Sequence, residues 1–320
     1  MIYEDFITFL TNGLQLALGP DMQIRRMQVP KNNGHFPDAL CLLRPGEHAS
    51  PAIYLKEYWE RCQAGTSTEQ ILKEILQFYQ DQCGHPGYDL SCFDSFEAVK
   101  PFLTCKLIHG GQNEALLPLL PHQRILDLAV VFCILFQAPA LPAASALIRY
   151  EHLEAWGISV NELQETAFQN VVSLLPPVIT PIDELIGQIL HEEMAQFGAE
   201  DSTVQDLLFR DVHRDFSRTP MFVLTNTQKY LGAACLLYPG LLREVSRQCG
   251  SSFYILPSSI HELILVPKQT GISSIQLAEM VSDINQSSVD PTERLSNEIY
   301  LYQADQDSLV FANPPKVDQL

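Results

Sequence analysis

Basic residues are scarce in this chain of 320 residues: 20 Lys and Arg stand against 38 Asp and Glu, a net charge of −18. A surface with that balance repels nucleic-acid phosphates and anionic lipid, which argues against direct nucleic-acid or membrane-surface binding. Long apolar runs are missing too. The longest, Leu126 to Phe136 with its neighbours, is interrupted by Asp127 and Gln137 and is too short to span a bilayer. The opening stretch MIYEDFITFL holds two acids and no basic residue, so no secretory signal is expected. Eight cysteines are scattered without framework spacing, and Cys105, Cys133 and Cys235 sit inside apolar segments. That usage suits reduced thiols and a cytoplasmic location.

The signatures of common chemistry are absent as well. There is no G-x-G-x-x-G, no G-x-x-x-x-G-K-[S/T], no G-x-S-x-G, no H-E-x-x-H and no C-x-x-C. His191-Glu192-Glu193 begins like a zinc-protease motif, but Ala195 stands where the second histidine is required. No cofactor is expected.

What is present is a mixture of helical and strand periodicities, pointing to an α+β fold. An N-terminal α-β-β-α-α unit is expected over residues 1–85, with a helix over Tyr3–Leu18 stopped by Gly19-Pro20. Thr66 and Glu69 have the spacing of a capping box for a helix from Ser67 to Gln82. A mixed α/β region follows over 86–195. Here RILDLAVVFCILF is a buried strand or strand pair, QAPALPAAS is a loop, and Ser159 with Glu162 opens another helix. Thr180-Pro181 has the form of a helix N-cap and first residue. Residues 196–218 form an acidic connector. A compact unit of hairpins and helices is expected over 219–313, with MFVLTN, AACLLY, SFYILP and ELILVP as strands and SSIQLAEMVSDIN as a helix.

The stretch YILPSSIHELILVP places Ser259, His261 and Glu262 side by side. A catalytic triad needs three converging side chains, and neighbours in an extended chain point to opposite faces. Pro257-Ser258-Ser259 is turn chemistry, so His261 is expected to begin a strand with its ring near the backbone of that turn. His261 with Cys235 is the residual nucleophile–base candidate, although a cysteine in an apolar run behaves as an inert hydrophobe. Cys83, His85 and Cys92, with Cys105 or His109 as a fourth ligand, are the weak candidates for a metal, and their spacing matches no common finger. Tyr54, Tyr58 and Trp59 serve either a partner groove or, more often, helix packing on a sheet. From Asp183 to Asp215 nine acids are opposed only by Arg210 and Arg214. Glu192, Glu193, Glu200 and Asp201 in that stretch are the candidate interaction residues, against the plain alternative of a solvated linker.

MFVLTN…GAACLLYPGLL…FYILPSSIHELILVP resembles the signature of an uncharacterised bacterial protein family carrying a domain of unknown function. SPAIYLKEYWERCQAG, RILDLAVVFCILF and LIRYEHLEAWGISVNELQETAFQN fit the same pattern, so the likeness runs from about Tyr3 to Tyr302. It implies a cytoplasmic bacterial protein and transfers no catalytic residues. The function expected is a non-enzymatic binding or interaction protein with a protein partner. The alternatives are a hydrolase using a spatially assembled Cys/His site and an acidic inhibitor of a nucleic-acid-binding protein.

Overall fold

The computed structural model describes residues 1–45, 52–84, 93, 95–138, 141–187 and 221–314. The chain is α+β and divides into two compact units, Met1–Asp94 and Ser95–Leu320.

In the first unit α1 (Tyr3–Leu18) is followed by β1 (Gln23–Gln28), β2 (Asp38–Leu43), β3 (Ala52–Tyr54), α2 (Leu55–Gln63) and α3 (Thr68–Gly84). The expected α-β-β-α-α order holds, with the short β3 added. The three strands form an antiparallel sheet in the order β1-β2-β3. Phe6, Leu10 and Leu14, one helical turn apart, form the buried stripe of α1 and join Leu40, Leu42, Ile71 and Ile75 in one core. Trp59 packs into this core, its ring 5.3 Å from those of both Tyr3 and Phe6. The α3 cap is one residue later than the sequence suggests. Ser67 Oγ, not Thr66, accepts the Gln70 backbone N–H at 3.2 Å.

The second unit holds two antiparallel sheets. β6 (Leu128–Ala138) is the spine of the first, with β4 (Leu103–His109) along one edge. Its other edge is shared by β5 (His122–Ile125) and then β7 (Leu141–Leu147). Its apolar run lacks alternation because both faces are covered. Leu116, Leu117 and Leu120 lie over Ile108, Ala129 and Val131 on one side. On the other, Phe132 meets Phe168 of α6 (Val160–Leu174), whose N-cap is Ser159 as expected. The short helices α4 (Phe96–Val99) and α5 (Tyr150–Trp156) precede β4 and α6.

The second sheet runs β13-β12-β10-β11-β9-β8. Its strands are β8 (Pro177–Pro181), β9 (Phe222–Asn226), β10 (Phe253–Leu256), β11 (Leu263–Pro267), β12 (Tyr300–Gln303) and β13 (Ser308–Phe311). α7 (Leu241–Cys249) ends at Gly250, whose φ of 68° suits a left-handed C-cap. α8 (Ser274–Ser287) opens with a capping box between Ser273 and Gln276, and packs Leu277 and Val281 on Leu256 and Val266.

Three expectations are overturned. From Leu141 on, QAPALPAAS is strand and not loop, because β7 pairs along β6 there, and an edge strand tolerates the proline that suggested otherwise. Thr180-Pro181 does not cap a helix: both residues pair with β9 as the end of β8, and helical residues start only at 182. AACLLY is not a strand. Gly232–Leu237 is 3-10 helix, a case where a short buried apolar run has the same pattern in either structure.

Candidate functional site

The turn between β10 and β11 is held from both sides by backbone. Ile260 N–H donates to Glu293 O at 2.9 Å and its carbonyl accepts from Ala233 N–H at 3.2 Å, while Pro257 O and Ser258 O accept from Ser296 and Leu295. Ser259 Oγ accepts the His261 backbone N–H at 3.0 Å, a local serine turn. The His261 ring engages two other segments. Its Nδ1 accepts the Leu231 backbone N–H at 3.1 Å, and Nε2 lies 3.4 Å from Glu293 Oε1. The hydrogen bond of the ring thus goes to the loop after β9. The reason is shape: Leu231 and Lys229 hold left-handed φ values of 55° and 50°, which cost non-glycine residues roughly 1–2 kcal/mol each. Asn226 offsets this by accepting from Gln228 and Tyr230 N–H and donating to Tyr230 O at 2.7 Å. Gly232 completes the knot, since a Cβ there would stand 2.3 Å from His261 O.

Cys235 is fully buried and donates its thiol to Thr225 O at 3.2 Å. Burial pushes it up to about 12, so it stays neutral. No hydrogen bond joins it to His261. Thr225 stands between them, its carbonyl taking the Cys235 thiol and its hydroxyl donating to His261 O at 2.8 Å. In His261, Nδ1 spends its lone pair on an amide and Nε2 carries the hydrogen facing Glu293, so neither nitrogen is placed to take a proton from a nucleophile. His109 and His152 show the same habit, each accepting a backbone N–H at Nδ1, from Gln112 and Arg149 respectively.

A second polar group ties the two sheets of this unit together. Asp127, in the turn between β5 and β6, accepts from Ser296 Oγ at 2.5 Å and from Tyr300 OH at 2.6 Å, with His109 Nε2 3.8 Å away. Ser296 Oγ also accepts the Glu298 N–H at 2.9 Å. The residues fixed in this way, Asn297 and Glu298, line one side of a cleft of about 460 Å³. α8 supplies the other side with Ile275, Glu279 and Asp283, and Asn313 closes it. Glu279, Asp283 and Glu298 give the cleft three carboxylates, with no basic residue among its described lining residues. Beside it, Asn285 is 3% exposed, donates to Ser296 O and Asn297 Oδ1, and has an Oδ1 with no donor partner among the described residues. Composition signalled the acidity, but nothing in the sequence marked these positions above other acids.

Of the metal candidates, Cys83 falls in the last turn of α3 with its side chain outside the described residues, and His85 and Cys92 lie outside them altogether. Among the described residues no three His, Cys, Asp or Glu side chains gather to hold a metal. Glu192, Glu193, Glu200 and Asp201 also lie outside the described residues. No described helix is long and apolar enough to cross a membrane.

The family model DUF5688, a family of unknown function, matches residues 3–304. The chain belongs to DUF5688. No curated protein and no solved structure matches it. The DUF5688 match takes in the His261 knot, the Asp127 contacts and the α8 side of the cleft, and ends before Asn313.

Proposed function

We propose that the protein is a non-enzymatic binding protein that receives a lysine or arginine side chain of a protein partner in the α8 cleft. One observation carries the reading: a cleft of about 460 Å³ with three carboxylates and no cation among its described lining residues. Carboxylates gathered in a concave surface focus their field and draw a positive group inward. Exposed ion pairs contribute only about 0–1 kcal/mol each, so charge alone gives register more than affinity. The apolar part comes from Ile275, 65% exposed, with Ala278 and Pro314 beside it. A partner segment of basic and aliphatic residues meets both demands.

The engaged nitrogens of His261 and the neutral thiol of Cys235 favour this reading over a Cys/His hydrolase. A fluorescently labelled Leu-Arg-Arg-Leu-Arg peptide tests it by anisotropy. Binding should weaken steeply with salt, and E279Q/D283N should lose about tenfold in affinity with a shallower salt dependence. Equal binding by the wild type and the neutralised variant would remove the cleft from the account.

A further inference from the structure

The β4–β6–β7 face divides into two halves of different chemistry. Leu116, Leu117 and Leu120 cover Ile108, Ala129 and Val131 at one end. Toward the other end the strand register brings polar side chains onto the same face. Thr104 pairs with Cys133 and Lys106 with Val131, so Thr104, Lys106 and Cys133 alternate onto one side. Ser145 pairs with Leu135 on β7 and meets the Tyr230 hydroxyl at 3.0 Å.

Two members of this group lack what burial demands. Thr104 is 0% exposed, and its Oγ1 has no hydrogen-bond partner among the described residues. A buried hydroxyl left unpaired calls for a missing partner, because native proteins rarely leave such a group empty. Lys106 is only partly exposed, and among the described residues no carboxylate pairs with it. Burial pulls its amine below the ordinary lysine range, and the group acting against that pull is the Cys133 thiol. A lysine on a sheet face with no described carboxylate acting on it leaves a charge still to be paired.

We propose that Lys106 and Thr104 form a binding site for a small oxyanion, the carboxylate or phosphate group of a small molecule, with Ser145 and Cys133 at its margin. The ammonium supplies the charge and the threonine hydroxyl donates, so the ligand must be an acceptor, which a carboxylate or phosphate oxygen satisfies. The bound oxygen meets both needs at once: it pairs the desolvated cation and takes the orphan hydroxyl hydrogen. This site is distinct from the acidic cleft and stands or falls without it.

The competing explanation is a lysine whose stem lies on Ile108 and Val131 while its amine reaches water. Thermal unfolding of the full chain separates the two. Inorganic phosphate and acetate serve as probes in separate arms, at constant ionic strength held with chloride. The site predicts a saturable rise in Tm with at least one probe, which tells phosphate from carboxylate recognition. K106M and the near-isosteric T104V should each weaken that response by about tenfold in midpoint concentration. Phosphate also stabilises proteins generally by exclusion from their surface, and such a rise is linear and shared by the variants. No saturable rise with either probe, or a saturable rise kept in T104V and K106M, overturns the proposal. T104V removes only an unpaired hydroxyl, so it remains informative should K106M fail to fold.

Discussion

The carboxylate of Asp127 and the hydroxyl of Tyr300 lie 2.6 Å apart across 173 residues of sequence. Tyr300 is fully buried, and burial followed by the Asp127 charge holds its hydroxyl well above the ordinary tyrosine range, so it donates as a neutral phenol. Removing the acceptor strands both this hydroxyl and Ser296 Oγ. Asp127→Ala should therefore destabilise the second unit by about 3 kcal/mol, and Tyr300→Phe by about 1 kcal/mol, in urea unfolding. An Asp127→Ala variant within about 0.5 kcal/mol of wild type would show that the contact is incidental.

Acid should act through His109 and His152. Burial is the leading cause that lowers both from an ordinary value of 6.5; Asp127 opposes it at His109 and Glu151 at His152. Each imidazole is neutral in the fold, with Nδ1 accepting an amide, and protonation abolishes that acceptor. The unfolded chain takes up its protons first as pH falls. The stabilisation is thus complete above about pH 6.5 and is lost as pH drops through the lower folded values. Urea midpoints measured down to about pH 5 should fall less steeply in H109Q/H152Q than in wild type. Parallel curves would assign the acid lability to other groups.

Gly232 is needed for space, not for a left-handed backbone. A Cβ would meet Thr225 Oγ1 at 2.2 Å and the His261 carbonyl at 2.3 Å. The carbonyl belongs to a backbone held on both sides and cannot retreat, so Gly232→Ala should cost roughly 3 kcal/mol or prevent folding. At Gly111 the nearest atom is the far edge of the His109 ring at 3.4 Å. Gly111→Ala should stay within about 0.5 kcal/mol and serves as the control. Similar stabilities for the two would contradict the crowding.

Thr104→Val offers the opposite sign. It replaces a buried, unpartnered hydroxyl with a methyl group of similar shape. Without added anions it should raise stability by about 1 kcal/mol. A loss instead would mean that the hydroxyl already has a partner in water.

Periodicity exposed much of this fold. The Phe6-Leu10-Leu14 stripe, the Ser159 cap and the β10–β11 pair follow local rules that a sequence displays openly. β7 and the Gly232–Leu237 helix escaped because their state is set by tertiary pairing, with β6 in one case and the left-handed Leu231 in the other. The site was harder. Turn chemistry marked the His261 segment, yet its ring partner Leu231 is 30 residues away and Glu293 lies on another loop. Lys106 looked like any strand lysine, because which described carboxylates come near it is decided in three dimensions. The cleft joins α8 to a loop positioned by Asp127, and no spacing rule connects those positions.

The claim that this is a binding protein with a cation-seeking cleft is tested most directly by an NMR titration of the isotopically labelled full chain with the Leu-Arg-Arg-Leu-Arg peptide. The account predicts saturable shifts concentrated at the amides of Ile275, Glu279, Asp283, Asn297 and Glu298, shrinking with salt and lost in E279Q/D283N. Saturable shifts elsewhere with the α8 amides unmoved, or no saturable shift at low salt, would contradict it.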